Sequence, residues 1–438
     1  MPRPTASPRA ALASATVGAA LVAAAMIVPR ATGEDVRVHW PPLHAEWYPR
    51  FEPMTVAAIA LGLALVLLLP WVARVAPWRT LLAASVGSTW LWTMTVAMTD
   101  GRIGLARVFE RRQEYVHDAQ SIDSIHHMLT TFVDRIPFDA DDRWYVHVAG
   151  HPPGALLYFV GVDRLGVTDP FWIGVVCVTV ASTAIAAVLL TVRTLGTEGA
   201  ARAAMPWIVL APSVVWMGVN GDAVFTAVAA WGLCLLALAA VHRRVLPAIA
   251  SGVLLGYCVY LSYGLPLLGI LAVTILVVVR TWRPLPWAVG GALGVAAVFT
   301  AGGFAWWEAY PVLRERYYAG IASERAYSYW VWGDVAAWTF TIGLAVWAAF
   351  PHAARLLTTR DAPRGPRVVV QLAAAALVCI AVATLSGMSK AEVERIFLPF
   401  TIWVVALPSL LPGRWHRPLL VSQVALAIAA QQLLLTRW

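Results

Sequence analysis

The sequence predicts an all-α polytopic membrane protein, built as a single transmembrane domain over residues 1–438. Three observations predict it. Hydrophobic residues make up 60% of the chain and charged residues 13%, about half the charged share of a soluble domain. The apolar residues gather in runs long enough to cross roughly 30 Å of hydrocarbon. Basic residues recur in the short turns between those runs, in the alternation expected of cytoplasmic loops.

Taken in order, the runs fall at 11–29, 54–73, 79–99, 170–192, 203–219, 222–241, 245–262, 265–280, 285–305, 334–350, 368–386, 396–411 and 418–436, about thirteen helices. Arg3 and Arg9 ahead of an Ala/Val-rich run to Val28 have the layout of a signal peptide. The run is as long as a bilayer is thick, so a first transmembrane helix is expected, with cleavage as the alternative. A cytoplasmic N-terminus puts Arg74 and Arg79, Arg193 and Arg202, His242 to Arg244, Arg280 and Arg283, the Arg355–Arg367 cluster, and Arg414 and Arg417 all on one side. That solution requires residues 154–166 not to span. They are few, Asp163-Arg164 interrupts them, and a short amphipathic helix at the outer surface is expected instead. The other side then holds the loops at 30–53, 100–169, 220–222, 262–264, 308–334 and 386–395. The net charge of +8 is therefore a topology signal, and no nucleic acid is expected as a partner. The four cysteines lie singly in apolar runs with no metal or disulfide spacing, and packing accounts for them.

Nearly all residues able to do chemistry fall in the polar stretch from Asp100 to Gly154 or in loops on its side. Asp100, at the end of a span and before Gly101-Arg102, is placed to deprotonate an acceptor hydroxyl; an Asp-Gly turn ending a helix is the structural alternative. Glu114 and Asp118 are four apart and share one helical face. With Tyr115 and His117 they make either a sugar site or a solvated face. Asp123, His126 and His127 could hold a metal, but their spacing is not diagnostic. Trp144, His147 and Gly150-His151-Pro152-Pro153-Gly154 form a corner whose prolines stiffen the backbone, while Gly150 and Gly154 permit close approach. Asp222, Tyr263, Arg325 and Tyr329 complete a set of outer polar and aromatic candidates. In Ser386–Arg395, Lys390 and Arg395 suit a lipid phosphate, or are snorkelling cations satisfied by Glu392 and Glu394. The spans hold almost no ionisable residue away from their ends, which counts against an ion-coupled transporter.

An aspartate after an early span, a long outer loop and a His-Pro-Pro-Gly corner at 151–154 together resemble the GT-C superfamily of polytopic glycosyltransferases. The segments Trp144 to Gly154, Asn220-Gly-Asp-Ala-Val-Phe, Leu261-Ser-Tyr-Gly-Leu-Pro and Ser386 to Phe400 resemble, more narrowly, an actinobacterial membrane-protein group associated with methylthioxylose transfer onto the mannan of lipoglycans. The resemblance implies an inverting transferase at the outer face of the plasma membrane. It implies a polyprenyl-phosphate sugar donor and a cell-envelope glycan or lipoglycan acceptor. Asp100 or Asp118 would then be the base, with Arg102, Glu114, Tyr115, Trp144, His147, His151, Asp222, Tyr263, Arg325, Tyr329, Lys390, Glu394 and Arg395 around the substrates. The superfamily's usual Asp-Glu pair is absent, since Gly101 follows Asp100, so the choice between Asp100 and Asp118 stays open. No metal ligands are assigned, and a divalent ion (Mg2+ or Mn2+) is an optional aid. A transporter or flippase of lipid-linked sugars is the alternative.

Overall fold

The computed structural model describes residues 7–436. About three quarters of the chain is helical, and the first helix, α1 (Pro8–Thr32), starts where the Ser7 hydroxyl accepts from the Ala10 amide. After a 12-residue connection comes β1 (Ala45–Trp47), then α2 (Pro53–Val75) and α3 (Trp78–Ala97). The stretch from 101 to 169 contains five short helices, none long enough to span: α4 (Ile103–Ala106), α5 (Tyr115–Gln120), α6 (Ile125–Thr130), α7 (Val146–Gly150) and α8 (Pro153–Arg164). The bundle resumes with α9 (Pro170–Ser182), α10 (Ala184–Leu195), α11 (Glu198–Val209), α12 (Gly221–His242), α13 (Val245–Leu261), α14 (Leu268–Val279) and α15 (Leu285–Ala301). It ends with α16 (Trp306–Ala319), α17 (Tyr327–Thr358), α18 (Arg364–Ser386), α19 (Val393–Ile396), α20 (Leu398–Val404), α21 (Gly413–Leu433) and β2 (Leu434–Thr436), which pairs antiparallel with β1.

Seven helices among the described residues are long and apolar enough to cross a bilayer, with α9 and α10 together making one of them, and eight if α15 and α16 count as one bent span. The run at 418–436 lies in the 21-residue α21, which is not among those seven, and the remaining runs form shorter or broken helices, for local reasons. The run at 203–219 is cut after Val209, with Pro206 inside the helix and a 3-10 turn from Pro212 following. The run at 396–411 breaks into α19, α20 and a 3-10 turn at Leu407–Leu410. The α15–α16 pair bends by 75°, and α16 carries Glu308, Arg314, Glu315 and Arg316.

The run at 334–350 goes the other way, extending to the 32 residues of α17. Its regularity fails at Gly343, whose φ of 68° is left-handed. There α21 supplies the repair: the Gln423 side-chain amide donates to the Ile342 carbonyl at 2.8 Å, so a freed backbone acceptor is satisfied inside the bundle.

Four polar segments meet at one end of the bundle. Arg50 bonds Asp100, joining the 33–52 connection to the turn that leads from α3 into the 101–169 segment. Arg316 on α16 donates to the carbonyls of Ile136 and Trp144. Arg37 pairs with Glu324 at 2.9 Å, and Tyr317 Oη donates to the Gly387 carbonyl at 3.3 Å. These are the loops that the charge pattern assigned to a common side.

Candidate functional site

A cleft of about 520 Å³ opens where those four segments converge. Its wall includes His44, Arg111, Glu114, His147, Arg325 and Glu392, with Leu435 and Thr436 of β2. Two short helices supply the first pair. The His147 amide donates to the Gln113 carbonyl at 3.1 Å, which holds the start of α7 against the start of α5. His147 Nδ1 then lies 2.7 Å from Glu114 Oε1.

Arg395 is the hub behind the wall. Its Nη1 reaches Asp222 Oδ2 at 2.5 Å and its Nη2 reaches Glu392 Oε2 at 2.8 Å. Nη2 also lies 3.4 Å from His147 Nε2. A guanidinium can only donate, so Nε2 accepts and the imidazole proton sits on Nδ1, directed at Glu114. Burial alone would pull the Arg395 guanidinium down, but Asp222, Glu392 and Glu114 together hold it above its usual range. Burial would likewise raise Glu392; the His44 bond and the charges of Arg395 and Arg325 outweigh it and keep the carboxyl far below the ordinary carboxylate range. Asp222 reaches this hub from the first turn of α12, whose start is fixed by the Asn220 side chain accepting from the Ala223 amide.

The His-Pro-Pro-Gly corner flanks the hub. His151 Nδ1 donates to the His147 carbonyl at 2.8 Å, and burial lowers its pKa to about 4. The Tyr115 ring stacks on Phe159 at 5.0 Å and meets His151 edge-on at 5.7 Å. Gly154 is required by packing: a Cβ there would stand 2.5 Å from the Tyr260 carbonyl oxygen on α13. Nothing lies within 4 Å of a Cβ on Gly150, so close approach explains only the second glycine of the corner.

The other sequence candidates lie apart from the cleft wall. Both Asp100 oxygens are bonded by Arg50, with Gln431 at 3.4 Å and Arg107 at 3.8 Å. Asp118 is buried beside His117, and one of its oxygens has no hydrogen-bond partner among the described residues. Burial raises its pKa, against the opposing charges of Arg135 and His117. Trp144 is fully buried, donates to the Phe132 carbonyl and carries Arg135 over its ring, which makes it a core residue of the 101–169 segment. Arg102 is exposed over Phe171. Tyr263 packs with Trp306 and Tyr310, and Tyr329 donates to the Ala25 carbonyl of α1. Lys390 Nζ is taken by the Ala322 carbonyl at 2.9 Å, and Glu394 is buried. His126 and His127 are exposed. Among the described residues no three His, Cys, Asp or Glu side chains are grouped as ion ligands.

Sequence reasoning missed His44, Arg111 and the central role of Glu392. Glu392 stood in a loop already singled out, where two left-handed residues, Ala391 and Glu392, redirect the chain. His44 had no periodic or motif signal. Comparison with protein-family models gives no match for this chain, and comparison with curated proteins gives none either.

Proposed function

We propose that the chain is a membrane glycosyltransferase of GT-C type. In this reading it moves a sugar from a polyprenyl-phosphate donor to a hydroxyl of a cell-envelope glycan or lipoglycan, with methylthioxylose onto mannan the specific case to test first. The broken and shorter helices, together with α21, complete about thirteen crossings. The cleft faces the extracytoplasmic side of the plasma membrane.

The observation that carries the reading is the cleft itself: a carboxylate held by an imidazole, with two arginines in the same wall, at the polar end of an apolar bundle. Glu114 takes the proton of the acceptor hydroxyl, with His147 Nδ1–H fixing its carboxylate. The acceptor oxygen bonds to the anomeric carbon as the bond from that carbon to the phosphate oxygen breaks. Arg111 and Arg325 in the cleft wall stabilise the departing lipid phosphate. Asp100 is a poorer base than Glu114, because Arg50 occupies both its oxygens. Arg325 is preferred to Lys390 as the phosphate ligand because it lies in the cleft wall and Lys390 does not.

The test is glycan analysis of envelope material from a deletion strain complemented with wild type, Glu114→Gln or Asp100→Asn. One sugar substituent should vanish on deletion, return with wild type, stay absent with Glu114→Gln and return at least in part with Asp100→Asn. Full restoration by Glu114→Gln at wild-type protein level would overturn Glu114 as the base. An unchanged glycan in the deletion strain would overturn transfer itself.

A further inference from the structure

The loop between α18 and α19 contains two consecutive non-glycine residues in left-handed conformation, Ala391 (φ 68°) and Glu392 (φ 63°). Such a pair is costly for L-residues and persists only where surrounding contacts impose it. The imposing contact comes from α17. Asp334, 1% exposed, accepts the Ala391 amide at 3.0 Å. The Ala391 methyl is buried against Val36, Tyr329 and Trp330, which accounts for alanine where glycine would relax the backbone. Two further ties hold the loop from outside: Arg325 Nη1 donates to the Lys390 carbonyl at 2.7 Å, and Lys390 Nζ donates to the Ala322 carbonyl.

The consequence lies one residue further on. Because Glu392 leaves Ala391 in the left-handed region, its carboxylate turns toward Arg395, Arg325 and His44, at 2.8, 3.8 and 3.4 Å. Extended backbone at 391 and 392 would point that side chain elsewhere.

We propose that Asp334 is a positioning residue: by holding the Ala391 amide it locks residues 391–392 in left-handed conformation and so aims Glu392 into the cleft. The claim that this arrangement serves sugar transfer rests on the transferase reading; the locking itself does not.

Hydrogen exchange of the purified full chain in detergent tests the lock without any substrate. In Asp334→Ala, amides of residues 391–395 should exchange about tenfold faster, the scale of one lost hydrogen bond, while α12 keeps its protection. Asp334→Asn retains a carbonyl acceptor and should exchange as wild type. Adding Ala391→Gly to Asp334→Ala should restore much of the protection, because glycine adopts the left-handed conformation without the tie. A merely structural loss of packing would not be rescued by removing a methyl group. Unchanged exchange in Asp334→Ala, or no rescue by Ala391→Gly, overturns the proposal. Should Asp334→Ala fail to fold, Asp334→Asn and Ala391→Gly decide: both must match wild type at 391–395, and loosening in either overturns it. If the lock behaves as expected while the glycan is unaffected by Asp334→Ala, the lock stands and its service to sugar transfer is overturned; an unchanged glycan in the deletion strain overturns the transferase reading separately.

Discussion

Replacing Arg395 by methionine should be the most damaging single change at the polar end of the bundle. The Arg395 and Asp222 side chains are each 6% exposed, so removing one leaves the other charged and without water. Loss of one partner from a buried pair costs about 3–5 kcal/mol. Glu392 loses its guanidinium in the same step, which places Arg395→Met toward the upper end. Asp222→Asn keeps an acceptor for Arg395 and leaves Glu392 paired, so about 1–3 kcal/mol is expected, the range of a charge-assisted hydrogen bond. The two changes should not add. With both made, the Arg395–Asp222 attraction is counted once, and the double variant should fall short of the sum by about 1–3 kcal/mol. The assay is reversible unfolding in mixed micelles followed by tryptophan fluorescence. Additivity to within about 0.5 kcal/mol would refute the coupling and with it Arg395 as the hub.

Three further outcomes follow from the same geometry. His151 titrates at about 4 in the fold because it is buried, against about 6.5 when unfolded. The unfolded chain therefore takes up the proton first; stability is complete above pH 6.5 and falls toward pH 4 by an amount on the order of 3 kcal/mol. His151→Gln should flatten that slope in an unfolding series against pH, and an unaltered slope would assign it elsewhere. Asp118→Asn should hold or raise stability at neutral pH, since burial disfavours the carboxylate it removes; a clear loss in thermal unfolding would contradict that. Gly154→Ala should cost about 1–3 kcal/mol by overpacking against the Tyr260 carbonyl, whereas Gly150→Ala should leave the unfolding midpoint unchanged.

The bundle was legible because apolar runs and basic turns are local signals. The count of long helices was less so, since a run of the right length reads alike whether or not proline breaks it, as at Pro206 or Pro212. The loops that meet at the cleft were legible as a set through charge asymmetry, and Glu114, His147, Asp222, Arg325 and Arg395 stood out in them by their chemistry; the structure brings these five together. Their pairing was not readable. Asp222 and Arg395 are 173 positions apart, and no spacing rule connects them. Asp100 shows what spacing leaves out: its place after a span is visible in the sequence, but its pairing with Arg50, from a segment with no pattern, is not. His44 and Glu392 are 348 positions apart, joined only because the β1–β2 pairing and the α17–α19 contacts draw both segments to the same end.

The most direct test of the central claim uses purified protein in nanodiscs with a polyprenyl-phosphate sugar and a mannan acceptor, measuring release of the lipid phosphate. Wild type should release it only when acceptor is present, and Glu114→Gln should be slower by about 10²–10⁴-fold, the range for loss of a general base. Equal release by the two proteins, or sugar-lipid crossing the bilayer without any transfer, would contradict it.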